Sequence, residues 1–176
     1  MPLHPLEEQR ESVRDWRQIG LGIMGLADML IKMGIPYGDQ DSQELCDRIG
    51  FAMADTAIAA SAMMAKEQGM FPKCSINAIM DTPYFEANTS APTKELVKKY
   101  GLHNSQLLTI APTGTLSTML GISGGIEPVF ANYYVRKTES LHGKDVYYKV
   151  YTKIVDTYMK DHKLTDDSML PDYFVT

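Results

Sequence analysis

The residues with the clearest potential for chemistry lie in two glycine-rich turns within 111–128. The first turn places the hydroxyls of Thr113, Thr115 and Ser117 around Gly114. Hydroxyls donate hydrogen bonds to anionic oxygens, and glycine lets a ligand approach the backbone closely. Residues of these types at this spacing indicate phosphate binding.

A short helix is expected to begin at about Leu116, because Pro112 interrupts the extended run before it and fixes its own φ. The first amides of a helix have no intrahelical acceptor, and the helix dipole is positive at that end. Such a helix start binds phosphate without a lysine. The alternative is that Thr113 only caps the helix and that the glycines only make turns.

The second turn, Gly121 to Pro128, favours a ligand site over simple capping. Two glycine-rich turns in close succession form a poor packing element and a good pocket wall. We therefore predict phosphate contacts from the first turn and a wall formed by both turns. The wall residues are Pro112, Gly125, Ile126, Glu127 and Pro128.

Helices are the main elements expected to position these turns. The charged stretch 7–18 predicts a polar helix, and Asp41 with Glu44 forms a capping-box-like start for a helix that ends at Gly69. Thr93 is expected to cap a further helix over 94–100. The apolar run Leu107, Leu108, Ile110 predicts a strand that leads into the first turn.

Hydrophobic spacing predicts the buried faces of these elements. In the long helix one stripe is expected to form the core, namely Leu45, Ile49, Met53, Thr56, Ala60 and Met63. Beyond the turns we predict a strand over 129–135, continued by the polar residues Arg136, Lys137 and Thr138, and a helix over about 145–161. The tail ends in Tyr173, Phe174 and Val175, which predict the start of another strand.

The run from Gly20 to Gly25 matches the glycine pattern of dinucleotide-binding folds, but its context differs. Such a turn follows a buried strand, whereas the residues before Gly20 are largely charged. Apolar residues continue through this region at helical spacing, at Ile19, Ile23, Leu26, Leu30 and Met33. We interpret the glycines as positions of close packing against a neighbour.

Composition limits the remaining functions. The 176 residues are 44% hydrophobic and 22% charged, which is typical of one globular unit, and the net charge of −5 argues against a general nucleic-acid binder. No apolar run approaches the length of a membrane span, so we expect a cytoplasmic protein that does not bind membranes. Cys46 and Cys74 are expected to be separate reduced thiols, and the histidines show no spacing for a metal site.

Several ordered segments resemble the catalytic subunit of ribonucleotide reductase. They are Arg17 to Leu30, Ala65 to Gly69 with Phe71-Pro72, Gly101 to Ser105, Ala111 to Ser117, Gly125 to Pro128 and Pro171 to Thr176. This resemblance covers nearly the whole chain. It implies an α/β fold (α+β in isolation), a helix-rich fragment of the ten-stranded α/β barrel, with residues 1–176 as one unit of a partial barrel domain.

The resemblance also implies roles for the turns. Thr113, Gly114, Thr115 and Ser117 correspond to the loop that grips the phosphates of a ribonucleoside di- or triphosphate substrate. Glycine at 114 is similar to the adenosylcobalamin-dependent members, which implies adenosylcobalamin for the full enzyme and no cofactor bound by this segment.

In the family, the catalytic cysteines and the catalytic carboxylate lie on upstream segments that do not match this chain. The chain is therefore expected to be a fragment, inactive alone, that works with the remainder of the reductase and self-associates through exposed edges. Glu127 is then expected to anchor backbone amides of the glycine turns rather than to act as an acid or base.

Three hypotheses remain open at this point. The chain is the substrate-phosphate segment of a ribonucleotide reductase, a phosphate-binding module without catalysis, or a structural helical domain in which the glycine turns only pack.

Overall fold

The computed structural model describes residues 4–138 and 146–174. These residues form mostly helices, with one antiparallel pair of strands. The elements are α1 Glu7–Trp16, α2 Leu26–Met33, α3 Gln40–Gln68, α4 Ile76–Met80, α5 Pro83–Asn88, α6 Ala91–Tyr100, α7 Gly114–Leu120, β1 Tyr133–Thr138, β2 Val146–Tyr151, α8 Lys153–Asp161 and a 3₁₀ turn at Asp167–Met169.

The chain divides into two compact units. Unit 1 comprises Met1–Gly22 and Glu44–Thr109, and unit 2 comprises Ile23–Gln43 and Ile110–Thr176. Both glycine-rich turns belong to unit 2. The predicted polar helix and the predicted long helix are confirmed as α1 and α3.

The core of unit 1 forms where α3 packs against the helices that follow it. Its buried side chains are Ile58, Ala62, Phe71, Phe85, Val97 and Leu102. The stripe predicted for α3 is wrong: Thr56 and Ala60 are exposed, Met63 is 40% exposed, and the buried positions are Ser42, Ala54, Ile58, Ser61, Ala62 and Ala65. Ile58 is a large apolar side chain of α3 in this core, whereas Ser61 is buried because its hydroxyl accepts hydrogen bonds from the backbone amides of His103 and Asn104, each at 3.1 Å.

Helix α6 begins three residues before its predicted start, and a carboxylate from α3 stabilises that end. Asp55 accepts hydrogen bonds from the Ser90 amide at 2.8 Å and from the Ser90 hydroxyl at 2.9 Å. Hydrogen bonding from the Thr93 hydroxyl and from Ser90 holds the pKa of Asp55 below its usual value, against an opposing effect of burial. The expected cap, Thr93, is buried inside the first turn.

The predicted strand at 107–110 is reduced to a single parallel bridge between Leu21 and Leu108. Only three hydrogen bonds pair these segments, the last from the Thr109 amide to the Leu21 carbonyl at 3.0 Å. The segment around Leu21 is too short to form a regular strand pair with residues 107–110. The glycine pattern permits this approach, because a Cβ on Gly22 would lie 2.6 Å from the Thr109 carbonyl oxygen, which confirms close packing as its role.

In unit 2, helix α2 begins only at Leu26, after Gly25 in a left-handed conformation. The helical spacing predicted from Ile19 onward therefore applies to Leu26 and Leu30, which are buried, whereas Met33 is 54% exposed. The core of this unit contains Ile31, Val155, Met159 and Phe174.

The helix predicted over about 145–161 is wrong in its first half; its predicted start, Asp145, lies outside the described residues. Residues 146–151 form β2, which pairs with β1 from Tyr133 opposite Tyr151 to Thr138 opposite Val146. Aromatic and β-branched side chains favour cross-strand pairing, and this overrides the helical spacing of the tyrosines. Helix α8 starts after Thr152. The strand predicted from Val129 with its polar continuation to Thr138 is confirmed from Tyr133 to Thr138, as β1.

The hairpin is fixed to the tail of the chain by polar contacts around Asp167. Asp167 accepts hydrogen bonds from the Lys149 ammonium and from the Tyr151 hydroxyl. The hydrogen bond from Lys149 lowers the pKa of Asp167. Burial and the hydrogen bond to Asp167 both raise the pKa of Tyr151. After the 3₁₀ turn at Asp167–Met169, Asp172 and Tyr173 lie in a further turn, so the predicted strand does not form up to Phe174; Val175 lies outside the described residues.

Candidate functional site

The first glycine-rich turn opens helix α7, two residues before the predicted start. Thr113 occupies the position before the helix, and its carbonyl accepts the Ser117 amide at 2.8 Å. Among the described residues, the amides of Gly114, Thr115 and Leu116 have no backbone acceptor, as expected for a first helical turn. The Thr113 side chain makes no capping hydrogen bond, so the interpretation that Thr113 only caps α7 is wrong.

The Thr113 hydroxyl instead joins the two turns. Its oxygen accepts a hydrogen bond from the Gly125 amide at 2.8 Å, across twelve residues. A threonine hydroxyl has one donor hydrogen and two acceptor lone pairs. Because the Gly125 contact uses an acceptor site, the Thr113 hydrogen remains available to an anion.

Ser117 has a different environment from the two threonines. It is 4% exposed, and its hydroxyl donates to the Gly114 carbonyl at 3.1 Å. A Cβ on Gly124 would lie 3.4 Å from the Ser117 oxygen and 3.8 Å from the Thr113 oxygen. The second turn therefore packs directly over the first turn of α7, with Ser117 beneath it.

Gly114 and Thr115 lie on the outside of the same turn. Both are exposed, and a Cβ on Gly114 would meet no atom within 4 Å. The open space next to Gly114 and the exposed Thr115 hydroxyl give a ligand access to the start of α7.

The end of α7 is defined by Gly121 in a left-handed conformation, with φ 69°. The Ile122 amide donates to the Ser117 carbonyl at 3.0 Å, and the Gly121 amide donates to Thr118. This pair of hydrogen bonds is the Schellman arrangement, in which glycine is preferred because a Cβ would strain the backbone. The Lys153 side chain also packs closely against Gly121.

Three contacts from the region around α2 hold the second turn. The Ser123 amide donates to the Asp28 carboxylate at 2.6 Å, and the Gly25 amide donates to the Ser123 carbonyl at 3.0 Å. The Tyr37 hydroxyl donates to the Ile126 carbonyl at 2.7 Å. The turn is thus anchored at both ends by residues more than eighty positions earlier in the chain.

Glu127 does not have its expected role at these amides. The Ser123 amide uses Asp28 and the Gly125 amide uses Thr113, while the Glu127 side chain is exposed. The expected anchoring by Glu127 is therefore wrong for both amides. Of the other wall residues, Pro112 is exposed, Gly125 is buried, and Ile126 and Pro128 are half-buried.

Sequence reasoning missed Asp28 and Tyr37. The available signal for Asp28 was a carboxylate on the apolar face of a predicted helix, beside Ala27 and Leu30. Such a residue needs a hydrogen-bond partner when it is buried. Tyr37 has no comparable signal, because its partner is a backbone carbonyl that any residue would provide.

Among the described residues, the cysteines and histidines do not form a second grouped site. Cys46 lies in α3 and Cys74 in a loop, and both are free and half-buried. Within residues 4–138 and 146–174, no three histidine, cysteine or acidic side chains are grouped as metal ligands, and His142 lies outside those ranges. None of the helices in these ranges is both long and apolar enough to span a membrane.

Comparison with known proteins adds a family match. A family model described as the ribonucleotide reductase barrel domain matches residues 1–172. The vitamin B12-dependent ribonucleoside-diphosphate reductase of Thermoplasma acidophilum is 37% identical over 142 residues, which cover 81% of this chain and 16% of that protein.

Two further relatives extend the similarity. The vitamin B12-dependent ribonucleoside-diphosphate reductase of Mycobacterium tuberculosis is 35% identical over 139 residues, covering 79% of this chain and 18% of that protein. The ribonucleoside-diphosphate reductase subunit alpha of Chlamydia pneumoniae is 30% identical over 160 residues, covering 78% of this chain and 15% of that protein. The chain thus spans 15–18% of the length of these relatives.

Proposed function

Because the chain belongs to the ribonucleotide reductase barrel-domain family, we propose that it supplies the part of the reductase barrel that binds the substrate phosphates. The family match confirms the predicted fold class, a helix-rich part of an α/β barrel. The proposed reaction of the whole enzyme is reduction of a ribonucleotide to a deoxyribonucleotide.

One observation carries the proposal for the site. The hydrogen bond from the Gly125 amide to the Thr113 hydroxyl joins the two glycine-rich turns into one structure. It leaves the Thr113 hydrogen available as a donor, next to the amides that open α7. The exposed Thr115 and the open space beside Gly114 favour a ligand site over a turn that serves only for packing.

The four predicted phosphate residues take different proposed roles. Thr113 and Thr115 donate from their hydroxyls, and Gly114 gives the phosphate access to the backbone amides. Ser117 shapes the turn from beneath, because its hydroxyl hydrogen is already donated to the Gly114 carbonyl. No lysine is needed in the turn, because several amides and hydroxyls donate hydrogen bonds to the negatively charged phosphate oxygens.

We propose a ribonucleoside diphosphate as the substrate, since each of the three relatives is named as a reductase of that class. We also propose adenosylcobalamin as the cofactor of the whole enzyme, because two of these relatives are vitamin B12-dependent. We assign none of the site residues described above to this cofactor.

A calorimetric titration of this chain with cytidine diphosphate, at low ionic strength, tests the site. Thr115→Val removes one hydroxyl donor and keeps the β-branched shape. Loss of a hydrogen bond to a charged group costs about 1.5–3 kcal/mol, which corresponds to binding weaker by about 10- to 150-fold. The matched control is Thr56→Val, at an exposed position on α3 in unit 1, and it is expected to leave the affinity unchanged.

Each result has a defined meaning. Equal affinities of the wild type and Thr115→Val would remove Thr115 from the site. Binding by the isolated chain would show that the turn is preformed. The same result would also agree with the alternative hypothesis of a phosphate-binding module without catalysis. If the wild-type chain does not bind, the same substitution in a full-length reductase decides, and unchanged kinetics there would refute the proposal.

A further inference from the structure

Asp28 is an unusual residue for its place in the fold. It is 7% exposed, and its neighbours on the buried side of α2 are apolar. Burial of a carboxylate is costly unless hydrogen bonds compensate for the lost hydration. A residue that served only to fill this side of α2 would be apolar, and asparagine would accept the same hydrogen bond at a lower desolvation cost.

The contacts of Asp28 show what its carboxylate holds. It accepts the Ser123 amide at 2.6 Å, and the Gly25 amide, three residues before Asp28, donates to the Ser123 carbonyl at 3.0 Å. Both backbone groups of Ser123 are therefore bound by the start of α2. A hydrogen bond to an ionised acceptor is shorter and stronger than a neutral one, and a carboxylate in the first turn of α2 is favoured by the helix dipole.

Ser123 is followed directly by the two glycines that lie over the first turn of α7. Gly124 packs against the Ser117 and Thr113 oxygens, and the Gly125 amide binds the Thr113 hydroxyl. The position of Ser123 thus determines whether Gly125 can reach Thr113. A glycine pair has wide conformational freedom, so it needs an external anchor to keep one geometry.

We propose that Asp28 is a positioning residue for the substrate phosphates: through Ser123 it holds Gly125 on Thr113, and so directs the Thr113 hydroxyl hydrogen toward the phosphate. Asp28 itself touches no ligand. The part of this inference that concerns the ligand rests on the proposed function, whereas the part that concerns the loop does not.

The test compares Asp28→Ala and Asp28→Asn with a matched control, Asp55→Ala. Asp55 also accepts a backbone amide, from Ser90 at 2.8 Å, but it lies in unit 1. Two quantities are measured in each variant of this chain: the hydrogen-exchange rate of the Gly125 amide by NMR, and the affinity for cytidine diphosphate.

We expect Asp28→Ala to speed exchange at Gly125 and to weaken nucleotide binding, each by about tenfold or more, the change that follows loss of one charged hydrogen bond. Asp28→Asn keeps a hydrogen-bond acceptor, so we expect its Gly125 exchange rate and its nucleotide affinity to stay closer to the wild-type values. Asp55→Ala is expected to lower the melting temperature and to leave both quantities unchanged.

Unchanged exchange at Gly125 in Asp28→Ala, or an equal increase in Asp55→Ala, would overturn the positioning role. Faster exchange with unchanged nucleotide affinity would support the hold on the loop and count against phosphate binding at this turn. If the wild-type chain binds no nucleotide, the exchange rates still decide the role of Asp28.

Discussion

Thr113→Val is the substitution that most directly separates the structural role of the glycine-rich turns from their binding role. Valine has nearly the same shape as threonine, so packing around position 113 is preserved. The change removes the acceptor of the Gly125 amide and, in the proposed site, one donor to the phosphate. Two effects are therefore expected from one substitution, on stability and on affinity.

The size of the stability effect follows from the burial of Gly125. A buried amide left without an acceptor costs about 1–3 kcal/mol. For a chain of this size, 1 kcal/mol corresponds to a change of about 2–4 °C in melting temperature. We therefore expect Thr113→Val to lower the melting temperature by about 2–12 °C, whereas Thr115→Val, at an exposed position, shifts it by much less.

Differential scanning calorimetry measures the melting temperature, and titration with cytidine diphosphate measures the affinity. Thr113→Ser keeps the hydroxyl and is expected to retain most of both. An unchanged melting temperature in Thr113→Val would refute the reasoning, because the hydrogen bond from the Gly125 amide to Thr113 would then contribute nothing to stability. Loss of stability without loss of affinity would limit Thr113 to a structural role.

The remaining predictions concern stability and association. Hydrogen bonds from Thr93 and Ser90 lower the pKa of Asp55, so the ionised carboxylate stabilises the fold above its unfolded-state pKa, and this stabilisation is lost as pH falls through the lower folded-state pKa. Asp55→Asn should therefore weaken the dependence of the unfolding free energy on pH on the acid side. An unaltered pH dependence would contradict this. Gly22→Ala should destabilise by about 1–3 kcal/mol through its clash with the Thr109 carbonyl, whereas Gly50→Ala, in open space on α3, should stabilise by about 0.5–1 kcal/mol in denaturant titrations. Exposed hairpin edges and apolar side chains should make the chain dimeric or larger in light scattering, and a monodisperse monomer would argue against this.

Local signals were enough to locate the helices with clear ends. Gly69 and Gly101 follow the last residues of α3 and α6, as their sequence positions predict, and the charged stretch before Gly20 forms α1. These signals depend on residues within a few positions of each other, which a sequence shows directly. The turn at 113–117 belongs to the same class, since its hydroxyls and glycine are adjacent in the chain.

The larger errors were in predictions that depended on distant partners. Residues 146–151 have helical spacing of tyrosines, yet they pair with β1, because cross-strand contacts outweigh local spacing. Likewise, burial along α3 depends on what packs against each position after folding, so Ile58 is buried whereas Met63 is 40% exposed.

The sequence by itself determined the C-terminal ends of α3 and α6, the glycine-rich turns and the resemblance that led to the family, because each rests on residue types at short spacing or in a fixed order. Only the tertiary structure decided how the turns are held. Asp28, Tyr37 and Thr113 reach backbone groups of residues that are distant in the chain, and backbone groups carry no sequence signal. Their partners therefore become visible only when folding brings the segments together.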